Sequence, residues 1–158
     1  MLSRVPEGSV DTVLSYCHYC LNDATLGDLL PDFQRRGLGV INASPLSMGL
    51  LTPQGPPEWH PAPSELQAAA REAAAWCEAR SLDLPRLAIQ WAVREEAIAT
   101  TLVGMCTPEQ VATNVKTVVE ALAGNGMGAE EEKELLGLLG GVHGVTWASG
   151  RPENAEPR

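Results

Sequence analysis

Basic residues are scarce in this 158-residue chain, with Lys and Arg together numbering 11 against 20 Asp and Glu, for a formal net charge of −9. That balance excludes the basic stripe with which a protein tracks nucleic-acid phosphates. Long apolar runs are missing too. No stretch approaches the roughly 18 apolar residues of a membrane span, and Met1 is not followed by a basic-then-apolar leader. The chain is therefore expected to be soluble and cytoplasmic, with neither nucleic acid nor membrane among its partners. There is no Walker A motif. Gly37-Leu38-Gly39 begins a dinucleotide fingerprint, but its third glycine would fall at Asn42, inside an apolar run, and Gly124 to Gly128 follows a helical pattern instead of a strand.

The inventory of catalytic side chains is thin. His60 sits in a proline-rich loop and His143 near the end, neither with a Ser or Cys in a nucleophile setting; these and His18 are expected to be structural or solvated. Lys116 and Lys133 fall on exposed helical faces. Cys17-His18-Tyr19-Cys20 has the form C-x-x-C. A strand would point its two sulfurs to opposite faces, and no second pair completes a zinc set, so Cys17 and Cys20 read as ordinary buried thiols and no metal is expected. The acidic run Glu130, Glu131, Glu132 and Glu134 reads as a solvated helix face.

What is present is a core-forming pattern, 44% hydrophobic and of single-domain size. Val10–Tyr16, Leu38–Ala43 and Ile98–Val103 read as short apolar strands. Between them come a helix from Asn22 or Asp23 to about Gly37, with Leu26, Leu29, Leu30 and Phe33 on one face and Pro31 splitting it, then a helix from a Ser64-Glu65-Leu66-Gln67 capping box to about Arg80. Asp83 caps a third helix with Pro85 in its first turn, and Thr107-Pro108-Glu109-Gln110 opens a fourth as a second capping box. A glycine-rich break separates one more amphipathic helix. Alternation of this kind implies parallel strands, α/β architecture and strands buried on both faces. Ligands of such sheets gather at the carboxyl ends of the strands, here Tyr16–Tyr19, Ala43–Gly49 and Gly104–Gln110. The third end offers the N–H groups and positive dipole of a capped helix, an anion site in form.

Two of those ends carry a resemblance. "VINASPLSMGLLT" at 40–52 and "LVGMCTPEQVATN" at 102–114, the latter of pattern G-x-x-x-x-x-Q-x-x-x-N, resemble the exits of the seventh and eighth strands of aldo-keto reductases. "VDTVLSYCHY", the loop Gly55-Pro56-Pro57-Glu58-Trp59-His60-Pro61 and "VTWASG" resemble the family's plant-type L-galactose dehydrogenase branch. The resemblance implies the C-terminal portion, about strands 6 to 8 with their helices, of a (β/α)8 TIM barrel over 1–150, with a disordered tail at 151–158. It also implies a nicotinamide dinucleotide partner: Tyr16 and Ala43 beneath the nicotinamide, Ser44, Pro45, Leu46, Ser47 and Met48 along the pyrophosphate, and Gly104, Cys106, Gln110, Thr113 and Asn114 at the adenosine.

Departures from the family pattern refine this expectation. Ala43 stands where an aromatic often stacks on the ring, and Thr113 where an acid often grips the ribose. Gly104 and Gln110 replace the basic residues of NADP-preferring members, which favours NAD over NADP. The family's Asp, Tyr, Lys and His come from strands 2 to 4, so no catalytic residue is expected in this chain, and a small sugar substrate belongs to the complete enzyme. The alternatives are a non-catalytic nucleotide- or protein-binding module derived from that fold, or an inactive fragment.

Overall fold

The computed structural model describes residues 4–147. The expected tail at 151–158 lies outside them. Strands β1 (Thr12–Tyr16), β2 (Gly39–Ala43) and β3 (Thr100–Leu102) form one parallel sheet in that order. Parallel neighbours need long crossovers. A 3-10 turn (Thr25–Leu29) and helix α1 (Leu30–Arg35) supply the first, helices α2 (Ser64–Ala79) and α3 (Leu84–Ala92) the second. Helices α4 (Pro108–Leu122) and α5 (Ala129–Leu139) follow β3. Tyr16 pairs with Ala43 and Ala43 with Leu102, so the three carboxyl ends lie side by side. Among the described residues no helix is long and apolar enough to cross a membrane.

The sheet is not buried on both faces. Val13 and Val40 point to the helical side, where Val40 packs with Leu26 and Leu30. Leu14, Tyr16 and Leu102, on the opposite face, are each about half exposed. The reason is coverage: among the described residues the helices pack on one face only, and period-2 alternation sends every second side chain to the other. The main core lies under the helices, where Leu21, Leu51, Leu84, Leu135 and Leu139 are buried together. Leu29, expected beside Leu26, is exposed because the segment starts as a 3-10 turn and becomes α-helical only at Leu30, with Pro31 in the first turn.

The starts of α3 and α4 follow local chemistry. Asp83 accepts the Arg86 N–H, and Thr107 with Gln110 forms the reciprocal box of α4. No box forms at Ser64. Pro63 is the N-cap residue, so Ser64 is already helical, and the Gln67 amide donates back to Ala62 O at 2.9 Å. The acidic run of α5 is also more than a solvated face, since Glu132 pairs with Arg94 and Glu134 with Arg80, tying α5 to its neighbours.

Three helices end in the same left-handed motif. Leu38, Leu82 and Asn125 N–H groups return to Phe33, Cys77 and Glu120 carbonyls, around Gly37, Ser81 and Gly124 at φ 68°, 55° and 78°. Glycine suits that position, and Ser81 is the exception. Ser81→Gly is expected to stabilise the protein by about 0.5–1 kcal/mol. Denaturant midpoints of the two proteins check it.

Candidate functional site

The segment after β2 is the most strained in the structure. Ser44, Ser47, Met48 and Gly49 all take positive φ, at 63°, 49°, 57° and 94°. For each residue but glycine this costs about 1–2 kcal/mol, so the surroundings must hold the turn in place. Part of the hold is internal. Ser44 Oγ accepts the Met48 N–H at 2.9 Å, and the N–H groups of Ser47, Gly49 and Leu50 bond back to Ser44, Leu46 and Ser47 carbonyls. Leu46 N–H alone in this turn makes no hydrogen bond with the described residues.

A buried polar knot supports the turn from below. Ser47 Oγ donates to Asn22 Oδ1 at 2.9 Å and lies 3.2 Å from the Cys20 sulfur, all three residues being fully buried. Burial pushes the Cys20 thiol up to about 12 and raises Cys17 as well, so both stay protonated and neither is a nucleophile at neutral pH. From above, the proline-rich loop folds back onto the turn, with Pro56 and Pro57 against Gly49. His60 fastens it. Its Nδ1 accepts the Ala62 N–H at 3.1 Å, which leaves Nε2 to donate to Ser47 O at 3.0 Å. The imidazole is 5% exposed and fully used, a structural histidine.

At the carboxyl ends of the strands lies an open cavity of about 690 Å³. Tyr16, Ala43, Ser44, Pro45, Leu46, Met48 and Gly104 all line it. The fold thus brings seven of the sequence-derived site residues around one space. Ser47 faces away, into the polar knot. Cys106, Gln110, Thr113 and Asn114 do not line the cavity; they belong to the first half of α4 and the residues leading into it. There Gln110 Oε1 already accepts the Cys106 and Thr107 N–H groups. The helix start also has its own anion: the Glu109 backbone N–H, and then the Thr107 hydroxyl, hold the Glu109 carboxyl below the usual range. The expected anion site is therefore largely satisfied from within.

The sequence profile of the Aldo/keto reductase family matches residues 5–129. The chain belongs to that family. L-galactose dehydrogenase of Arabidopsis thaliana is 49% identical to it over 154 residues, 98% of this chain and 48% of that protein. D-arabinose 1-dehydrogenase of Saccharomyces cerevisiae is 39% identical over 94 residues, 56% of this chain and 27% of that protein. A solved aldo-keto reductase from Bacillus halodurans, in its holo form, superposes with a TM-score of 0.55 at 22% identity, covering 91% of this chain and 46% of that one. The chain thus spans about half the length, or less, of the relatives it matches.

Within this aldo/keto reductase chain the structure adds side chains to the site that the sequence reading passed over. Trp59, 71% exposed, lines the cavity from the proline-rich loop, as does Ala43 from the strand end, which offers no aromatic. A tryptophan two residues from Pro57 and from Pro61 was the available signal. His18 and Trp147 border a neighbouring cavity of about 440 Å³ that shares Tyr16, Met48 and Trp59 with the first.

Proposed function

We propose that this chain forms the dinucleotide-binding, C-terminal portion of an NAD-dependent aldo/keto reductase that oxidises a sugar. The observation that carries the reading is the strained turn after β2, whose Ser44, Pro45, Leu46 and Met48 line a cavity at the strand ends and whose Leu46 N–H makes no hydrogen bond with the described residues. A dinucleotide pyrophosphate needs such backbone donors and room for close approach. Leu46 N–H and the Ser44 hydroxyl would hold it, Tyr16 would meet the nicotinamide carboxamide, and Trp59 would stack on the ring in place of the residue missing at Ala43. Cys106, Thr113 and Asn114, with the amide nitrogen of Gln110, would edge the adenosine. When bound there, the nicotinamide supplies a hydride acceptor.

NAD suits these residues better than NADP. Among the described residues no Lys or Arg lines the cavity, Gln110 Oε1 is committed to its cap, and the Glu109 carboxylate occupies the helix start that a 2′-phosphate would approach. Glu109→Gln is expected to raise NADP affinity about threefold and leave NAD affinity unchanged, because only the phosphate meets that charge. Parallel titrations with the two cofactors measure it.

The partial-barrel reading draws support from apolar surface that the described residues leave uncovered. Besides Leu14, Tyr16 and Leu102 on the open sheet face, Val111, Val115, Val119 and Leu122 make an exposed apolar stripe along α4. A (β/α)8 barrel would cover both. Hydride transfer then depends on an acid–base set outside these residues. Purified chain should bind NAD more tightly than NADP and form no NADH with L-galactose. Equal affinity, or tighter NADP, would overturn the preference; no binding of either would overturn the dinucleotide reading.

A further inference from the structure

His18 lies two residues beyond β1, with Nδ1 2.9 Å from Asp23 Oδ2. Asp23 is 2% exposed, and its other oxygen accepts the Thr25 hydroxyl at 2.6 Å and the Thr25 N–H at 2.9 Å. Burial alone would raise this carboxyl, but the bonds from Thr25 and then from His18 outweigh it and hold it below the usual carboxylate range. A buried carboxylate in that position accepts Nδ1–H and fixes the tautomer, so Nε2 of the neutral ring is left as an oriented acceptor. The loop is anchored by a bond from the Leu26 N–H to the His18 carbonyl at 2.9 Å.

The imidazole is not buried with its partner. Its side chain is 43% exposed, borders the 440 Å³ cavity together with Trp59 and Trp147, and makes no hydrogen bond through Nε2 to the described residues. A fixed acceptor beside two indole rings suits a polyhydroxylated ring, whose C–H face packs on an aromatic while a hydroxyl donates to the imidazole. We propose that His18, oriented by Asp23, accepts a hydroxyl hydrogen bond from a sugar held between Trp59 and Trp147. His18 is then a specificity residue of this chain's own. The inference rests on the dinucleotide reading, because the shared Tyr16, Met48 and Trp59 would set that sugar beside the nicotinamide.

The test is an L-galactose titration of the full chain saturated with NAD, read by tryptophan fluorescence and by 15N resonances of the imidazoles, with His18→Phe and His18→Gln alongside. Sugar is expected to shift the His18 Nε2 resonance of the parent. Its affinity should fall at least tenfold in His18→Phe and return in part in His18→Gln, with NAD affinity the same in all three. Unchanged sugar affinity in His18→Phe, or no sugar binding by the NAD-loaded parent, would overturn the proposal. A separate NAD titration reports on the dinucleotide reading; should NAD fail to bind, L-galactose added to the NAD-free proteins still decides for or against His18. The parent's imidazole shift decides it even if a variant fails to fold.

Discussion

Truncating Leu51 to alanine is expected to destabilise the protein by about 2–5 kcal/mol, the range for a fully buried leucine whose cavity cannot collapse. Leu51 has no exposed surface and sits in the main core with Leu21, Leu84 and Leu135. Its N–H also closes the strained turn by bonding to Leu46 O at 3.2 Å. Removing the side chain loosens one of the anchors that tie that turn to the helices, Leu50 packed on Leu66 and Ala70 being another. For a chain of this size the melting temperature should fall by roughly 5–15 °C, and NAD binding should weaken with it because the left-handed residues at 44–49 lose their constraint. Circular dichroism melts of parent and variant measure the first effect. A melt within about 1 °C of the parent would mean that the core does not bear on the turn.

Trp59→Ala should do the reverse. Trp59 is 71% exposed, so its loss leaves almost no cavity in the fold and the melt of the free protein should not move. If the indole stacks on the nicotinamide, removing it forfeits about 1–2 kcal/mol, and NAD affinity should drop about tenfold. Trp59→Phe should recover most of it. Calorimetric titration of the three proteins checks the outcome, and unchanged affinity in the alanine variant would remove Trp59 from the site. The contrast with Leu51 is useful: one change moves stability first and binding second, the other moves binding alone.

Much of the fold was legible because it is local. Thr107-Pro108-Glu109-Gln110 reads as a capping box and forms one, since every group involved lies within a single turn. The box at Ser64 failed for an equally local reason, the helix beginning one residue sooner behind Pro63. The parallel order of three strands followed from alternation. The open sheet face did not, because Leu14, Tyr16 and Leu102 look like core residues and only packing decides whether anything covers them.

The candidate site was legible in part. The turn at 44–49 stood out through its motif, yet its strain did not, for Ser44, Ser47 and Met48 give no hint of left-handed φ where glycine would. His18 and Asp23 are five residues apart on an irregular loop, and their contact depends on Cys17 turning the chain at φ 62° after β1. Trp59 reaches the cavity from a proline-rich loop that His60 pins onto Ser47 and that Pro56 and Pro57 pack onto Gly49. Such contacts belong to the tertiary structure, and no spacing rule reveals them.

The central claim is that the turn after β2 holds a dinucleotide through the Leu46 N–H. Amide NMR of the 15N-labelled chain during an NAD titration tests it directly. The account predicts that the Leu46 amide shifts most, downfield as it donates to the pyrophosphate, with smaller shifts at Ser44, Met48 and Gly104 and none in α5. Saturating NAD that leaves Leu46 unmoved, or that moves α5 instead, would contradict it.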